Sequence, residues 1–69
     1  MTETEIVTKS LGRTIRERRR QLGVSQNDVA ELAGVSVRFL GEIERGKPTV
    51  RLSGLIDVCR VLGLAITLS

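Results

Sequence analysis

Apolar residues recur at helical spacing in four stretches of this 69-residue chain, and a glycine follows each stretch. In the first, Leu11, Ile15 and Leu22 are four and seven residues apart, so they share one face of a helix. Ser10 can cap the start of that helix, and the glycine after Leu22 can end it. The preceding residues 1–9 are polar and then β-branched, which predicts a flexible or extended arm.

The central stretch from Ser25 to Gly46 contains two short predicted helices joined by a tight turn. Ser25 and Ser36 can each cap a helix, and Asp28 can complete a capping box in the first of them. Gly34 interrupts the apolar spacing, because glycine readily adopts the left-handed conformation that ends a helix. So short a connection favours crossed helices, as in a helix-turn-helix, in which the second helix enters the DNA major groove.

The C-terminal third of the chain predicts one more helix and then a strand. Pro48 prevents a continuous helix, and helical spacing returns from about Leu52 to Leu62 in an apolar segment that should close the core. Residues 64–69 then alternate with the period of a β-strand, which needs a partner. That partner is either residues 5–8 or the same strand of a second subunit; we favour the second subunit, because this motif usually binds DNA as a dimer. The dimer would bury the apolar residues Leu64, Ile66 and Leu68.

Composition favours a small helical domain, because aliphatic residues are plentiful and Phe39 is the single aromatic residue. A chain of this size buries only about 60% of its unfolded surface, so association between subunits is expected to help. Histidine is absent and Cys59 is the single cysteine, which leaves no usual metal site and no disulfide within the chain. We expect Cys59 to behave as a small buried apolar residue.

Charge is unevenly distributed along the chain, and this distribution indicates more about a possible partner than the formal net charge of +3 does. Residues 9–23 carry six cations and one carboxylate, whereas residues 24–46 carry two cations and four carboxylates. A basic first helix suits a polyanion, although a solvated helix face is the simpler interpretation of that pattern alone. Arg19 falls within the apolar stripe of this helix. It therefore needs a carboxylate, for which Glu44 is the candidate, unless its stem extends to solvent.

A pattern of fixed offsets carries a resemblance to a known family, and it consists of Gln26, Ala30, Gly34, Leu40, Ile43 and the ending Glu44-Arg45-Gly46. The sequence resembles the lambda-type phage repressors and the Xre-like regulators over residues 10–63, with the motif at 26–45. The resemblance implies an all-α, lambda repressor-like DNA-binding domain of four to five helices. It also implies an ion pair between Arg19 and Glu44.

Two further segments resemble a narrower group, the short HipB-type antitoxins. They are Gly46-Lys47-Pro48-Thr49 and the ending from Leu62 to Leu68. The resemblance implies a homodimer that represses its own toxin–antitoxin operon and binds a HipA-type kinase toxin.

The resemblance also implies which residues of the second central helix face the groove: Ser36, Val37, Arg38, Gly41 and Glu42. Arg38 can pair with guanine, Val37 can contact a thymine methyl group, and Glu42 can accept from a cytosine amino group. The simpler interpretation of Arg38 and Glu42 is a surface ion pair four residues apart. Gly41 is unfavourable inside a helix, which indicates a close approach to DNA or to another helix.

Other residues are expected at the DNA phosphates. Gln26 matches the backbone-contacting glutamine of the family, at the start of a helix whose free N–H groups favour anions. Arg45 and Lys47 flank the end of the second central helix, which corresponds to the recognition helix of the family. Phe39 can pack between helices or along a sugar-phosphate edge. Looser candidates for phosphate contact are Arg16 and Arg20.

These observations predict a sequence-specific regulator, a repressor by resemblance, that binds an inverted-repeat operator in double-stranded DNA. The alternative is a protein-interaction module that restrains a partner protein, which the net acidity of residues 24–46 supports. We expect no enzyme, since histidine, a carboxylate pair and a glycine-rich phosphate loop are all missing from the sequence. We also expect no cofactor and no membrane contact, and a cytoplasmic location in a prokaryotic cell or a phage-encoded origin.

Overall fold

The computed structural model describes residues 1–67, which form four α-helices. They are α1 (Glu3–Gln21), α2 (Gln26–Ala33), α3 (Val37–Glu44) and α4 (Leu52–Val61). The all-helical class is therefore confirmed. α3 packs against both α1 and α2, and α4 packs against α2. Within this part of the chain, no helix has both the length and the apolar character to cross a membrane.

α1 begins well before the predicted cap at Ser10. Thr2 is its N-cap: the Thr2 hydroxyl accepts from the Glu5 N–H at 3.1 Å, and the Glu5 carboxylate accepts from the Thr2 N–H at 3.3 Å. This is a complete capping box, and the acidic first turn is also favoured by the helix dipole. The prediction of a flexible or extended arm over residues 1–9 is therefore wrong.

The two central helices and the turn between them form as predicted. The Ser25 hydroxyl accepts from the Asp28 N–H at 3.0 Å, and the Ser36 hydroxyl accepts from the Phe39 N–H at 2.9 Å. The reciprocal half of the predicted box, from the Asp28 carboxylate, is not seen among the described residues. Gly34 has φ of 70° and ψ of 29°, the left-handed conformation that lets α2 end and α3 start in a new direction.

All four helices contribute to one small core, which consists of Ile15, Val29, Ala30, Leu40, Ile43, Leu55, Val58, Cys59 and Leu62. Cys59 is buried as predicted, and burial raises the pKa of its thiol. Leu22 and Leu32 have helical spacing relative to core residues but lie outside it, with exposed fractions of 48% and 72%. The assignment of Leu22 to one apolar face with Leu11 and Ile15 is therefore wrong.

α1 and α3 cross closely because α1 has Gly12 at the contact. A Cβ atom on Gly12 would lie 2.8 Å from the carbonyl oxygen of Glu44 and would contact the carbonyl oxygen of Ile43 still more closely. Both neighbours are backbone atoms of α3, which cannot move independently of the helix. Gly12 therefore sets the distance between α1 and the second half of α3.

The C-terminal tail adopts no regular secondary structure over residues 64–67. Leu64 packs against the core, whereas Ile66 is 46% exposed. Leu68 lies outside the described residues, so the predicted strand and its pairing between subunits stay predictions. The alternative pairing with residues 5–8 is wrong, because those residues are part of α1.

Candidate nucleic-acid interface

The N-terminal half of α3 presents a polar edge to solvent. Ser36, Val37 and Arg38 are exposed, whereas Leu40 and Ile43 on the opposite face are buried in the core. The helical period of 3.6 residues produces this division, because the core contacts occupy one side of the helix. Three of the five predicted base-reading residues therefore lie together at one accessible end of α3.

Glu42 is paired with Lys47 and not with Arg38. The Lys47 Nζ atom donates to Glu42 Oε2 at 3.0 Å, whereas Arg38 forms no ion pair with any residue in the described range. The surface pair between Arg38 and Glu42 is therefore absent there. The hydrogen bond from Lys47 lowers the pKa of Glu42, and the nearby charges of Lys47, Arg38 and Arg45 lower it further.

The predicted ion pair between Arg19 and Glu44 is present and almost buried. Arg19 Nε and Nη2 donate to the two carboxylate oxygens of Glu44 at 2.7 and 3.1 Å, while Nη1 donates to the carbonyl of Val24 at 3.1 Å. The exposed fractions of the two side chains are 13% and 4%, so Arg19 does not extend to solvent. Gln26 Nε2 also donates to Glu44, at 3.1 Å. Burial raises the pKa of Glu44, but the hydrogen bonds from Arg19 and Gln26, together with the charges of Arg19 and Arg16, outweigh it and leave the pKa lowered.

A notch of about 410 Å³ opens beside α3, and it is lined by Arg16, Arg19, Gln26, Gly41, Glu44 and Arg45. Gly41 is buried beneath the side chain of Arg45: a Cβ atom at Gly41 would lie 3.1 Å from Arg45 Nη1. The nearest group to Gly41 is therefore a side chain from the end of α3 itself and not another helix, and the predicted approach to DNA stays a prediction. The notch brings together the phosphate candidates Gln26 and Arg45 with Arg16, but Arg20 does not line it.

Phe39 packs between helices, which is one of the two arrangements predicted for it. Its ring touches the first turn of α4 at Gly54, and the guanidinium carbon of Arg51 lies 4.7 Å from the ring centroid. The ring is half-buried by these contacts. Neither Arg51 nor Gly54 was among the candidate residues, because only the folded chain brings the start of α4 against α3.

Comparison with known proteins fits this geometry. Residues 10–68 match a family described as a helix-turn-helix domain. The chain belongs to the helix-turn-helix family. A relative from Sinorhizobium fredii (strain NBRC 101917 / NGR234), named uncharacterized HTH-type transcriptional regulator y4mF, is 34% identical over 56 residues. The aligned region covers 81% of this chain and 74% of the relative. The helices α2 and α3 are the first and second helices of the helix-turn-helix.

An arginine that the sequence did not single out joins α1 to the end of α4. Arg18 Nε donates to the carbonyl oxygen of Leu62 at 3.0 Å, just beyond α4. Carbonyl groups at the C-terminal end of a helix need such donors, and a cation there also interacts favourably with the helix dipole. Residues 18–20 are consecutive arginines with different environments: Arg18 bonds to Leu62, Arg19 is in the buried pair, and Arg20 is exposed.

Proposed function

We propose that this helix-turn-helix protein is a sequence-specific DNA-binding transcriptional regulator. The exposed, cationic N-terminal edge of α3 carries the proposal. In helix-turn-helix proteins, the N-terminal residues of the second helix contact base edges in the major groove. Arg38 is exposed at that end of α3 and is unpaired among residues 1–67. The name of its relative from Sinorhizobium fredii, a transcriptional regulator, supports the same class.

Base reading is assigned to the exposed side of α3. Arg38 binds guanine through two parallel hydrogen bonds, worth about 1–3 kcal/mol of discrimination. Val37 contacts a thymine methyl group, which its exposed fraction of 41% allows. The Ser36 hydroxyl accepts from Phe39 as a helix cap, so its proton is available to donate to DNA. Gly41 is covered by the guanidinium of Arg45, so its approach to a base requires that side chain to move aside.

Glu42 and Lys47 exchange partners when DNA binds. In the described chain the two side chains neutralise each other, which reduces the repulsion between Glu42 and the phosphate backbone. Contact with DNA offers Lys47 a phosphate, and Glu42 then accepts from a cytosine amino group. A glutamate carboxylate is ionised at neutral pH and can serve as that acceptor.

Phosphate contacts surround the recognition helix. Gln26 is held by Glu44 and keeps a second amide hydrogen that can donate to a phosphate at the start of α2. Arg16 and Arg45 line the same notch and supply positive charge to that phosphate. These contacts orient the protein on the duplex without reading its sequence.

The regulator acts as a homodimer. An apolar groove of about 580 Å³ runs between α4 and the tail, lined by Leu52, Ile56, Cys59, Arg60, Leu64 and Ile66. Leu52, Ile56 and Ile66 are 64%, 40% and 46% exposed. Pairing of two such faces would bury these side chains, along with Leu68, around a two-fold axis. By its resemblance to phage repressors, the dimer would repress transcription from an inverted-repeat operator.

The family match and the relative from Sinorhizobium fredii support a helix-turn-helix transcriptional regulator, and neither indicates a narrower role. An antitoxin role and a HipA-type kinase partner are therefore not proposed. The exposed groove favours one second candidate, a module that binds a partner protein through α4. A dimer of the free protein that survives dilution would favour self-association over that candidate.

Selection of a randomised duplex library by the purified protein at physiological salt tests the proposal. Sequencing of the bound duplexes should yield an inverted repeat whose half-site centres are separated by about one helical turn. If the folded protein enriches no sequence, regulation through base reading is wrong and the partner-binding module becomes the better explanation.

A further inference from the structure

Arg51 has a partner of an unusual kind, an aromatic ring in the recognition helix. Its guanidinium carbon lies 4.7 Å from the centroid of the Phe39 ring, within the range of a cation–π interaction. Among residues 1–67, no carboxylate pairs with Arg51. The positive charge is therefore held in place by a ring and is not neutralised by an acid.

The first turn of α4 holds that ring from a second side. A Cβ atom at Gly54 would lie 2.5 and 2.6 Å from the Cζ and Cε2 atoms of Phe39, and 3.5 Å from Arg51 Cζ. Gly54 thus permits a contact between α4 and the ring that any larger residue would push apart. Phe39, Arg51 and Gly54 form a single packed unit that joins α3 to α4.

This unit places a cation at the N-terminal end of α3. Phe39 follows Arg38 directly in the sequence, and its N–H is bonded to the Ser36 cap. Arg51 comes much later in the chain, but its position over the Phe39 ring brings it to the first turn of α3. At the opposite end of α3 lie the cations Arg45 and Lys47.

We propose that Arg51 binds a DNA phosphate at the N-terminal end of α3, and that Phe39 is the positioning residue that holds Arg51 for that contact. The inference rests on the proposed DNA-binding function. A guanidinium that lies over an aromatic ring keeps the planar fork of N–H donors that matches phosphate oxygens. Because the ring already restricts the side chain, less rotational freedom is lost on binding.

The inference changes the role of Phe39. The ring acts on the phosphate through Arg51 and makes no phosphate contact itself. With cations at both ends of α3, the backbone is gripped on either side of the bases that Arg38 reads, which sets the position of the helix in the groove.

The test measures dissociation constants against salt concentration for a duplex selected by the wild-type protein and for a random duplex of equal length. The variants are Arg51→Gln, Arg51→Lys, Phe39→Leu and the double variant with Phe39→Leu and Arg51→Gln. Arg13→Gln is the control, because Arg13 is an exposed arginine of α1 to which no DNA contact and no interface is assigned. Thermal unfolding of each variant, followed by circular dichroism, establishes that it is folded.

Arg51→Gln should weaken binding to both duplexes by the same factor and should reduce the slope of log K against log salt by about 1 per subunit. Phe39→Leu should weaken binding about two- to fivefold per subunit, with the slope retained. In the double variant, Phe39→Leu should not weaken binding beyond the loss that Arg51→Gln causes alone. Arg51→Lys should keep the slope but lose affinity, since lysine lacks the planar fork. Arg13→Gln should match the wild type.

The outcomes separate the two proposals. If the wild-type protein selects a sequence but Arg51→Gln leaves the salt slope unchanged, the phosphate contact is wrong while the proposed function stands. If the losses from Phe39→Leu and Arg51→Gln add in the double variant, Phe39 does not act through Arg51. If the folded wild-type protein selects no sequence, the proposed function fails and the inference fails with it.

Discussion

Glu44 connects three helices through hydrogen bonds of its carboxylate. It lies in the last turn of α3 and accepts hydrogen bonds from Arg19 of α1 and Gln26 of α2. Both members of the ion pair are largely removed from water, so loss of either one leaves a charge with little compensation. The pair of Asp57 and Arg60 is solvent-exposed and should contribute little.

Replacement of Glu44 by alanine should reduce the free energy of unfolding by about 3 kcal/mol, because the Arg19 charge loses its partner. Arg19→Met combined with Glu44→Leu should cost much less, since no buried charge is left behind. Urea denaturation measures both changes. Asp57→Asn is the control and should change stability by less than about 0.5 kcal/mol. Equal stability of the Glu44→Ala and Asp57→Asn variants would mean that the buried pair stabilises no more than the exposed one.

The same pair should make the protein sensitive to acid. The pKa of Glu44 lies below its ordinary value of 4.5 in the folded chain, so its ionised form favours folding. That stabilisation is fully present above pH 4.5 and is lost as the pH falls through the lower folded-state pKa. The melting temperature of the wild type should therefore fall more steeply below pH 4.5 than that of the Arg19→Met, Glu44→Leu variant. Parallel acid profiles of the two proteins would contradict this assignment.

At the scale of the elements, local features predicted the central helices well. Ser25 and Ser36 are caps, Gly34 is a left-handed stop, and each acts on its nearest neighbours, so the sequence alone contains the necessary information. The start of α1 was misplaced because Ser10 offered a competing cap. The box from Thr2 to Glu5 has the spacing of a helix start and was the feature to weigh against it.

The candidate nucleic-acid interface could be predicted only in part, because some of its features depend on local sequence and others on how the helices pack. Helical period and family resemblance predicted the exposed edge at Arg38 and the pair of Arg19 with Glu44. The stack of Arg51 on Phe39 depends on where α4 packs, and residue spacing carries no such information. Likewise, the spacing of Leu22 predicts a place in an apolar stripe but not how far a neighbouring helix covers it.

Two glycines inside helices should respond oppositely to alanine. Gly12→Ala should lower the free energy of unfolding by about 1–3 kcal/mol, because the new methyl group meets backbone atoms of α3. Gly41→Ala should raise it by up to about 1 kcal/mol, because alanine favours a helix and the neighbouring Arg45 guanidinium is the end of a flexible side chain. Thermal or urea unfolding of the two variants provides the comparison. Similar changes in both would show that the close crossing at Gly12 is not rigid.

At the scale of the whole molecule, the placement of charge matters more than its total. Of the six cations in residues 9–23, Arg18 and Arg19 are engaged in the fold through hydrogen bonds to other elements. The first helix is therefore less of a uniform polyanion-binding surface than its composition predicts. The cations near α3 that make no such bonds are available to DNA. The chief ones are Arg16, which lines the notch, and Arg38, which lies on the exposed edge of α3.

The proposed dimer predicts a change in solution mass. Ile56→Glu places a charge in the apolar groove and should convert a dimer of two 7.6 kDa chains into a monomer of about half the mass. Deletion of residues 64–69 should do the same. Leu32→Glu is the control, since Leu32 is an exposed leucine of α2 that does not line the groove. Sedimentation or light scattering measures the mass, and an unchanged dimer in the first two variants would exclude this face as the interface.

The central claim is that α3 reads bases while the cations around it grip the backbone. The most direct measurement is the affinity of Arg38→Ala for the selected duplex and for its single base-pair variants, with Lys47→Gln measured in parallel. Arg38→Ala should lose about 1–3 kcal/mol on the selected duplex and stop distinguishing one base pair in each half-site. Lys47→Gln should weaken all duplexes alike and flatten the salt dependence. Equal losses for Arg38→Ala on selected and random duplexes, with every base preference kept, would contradict the claim.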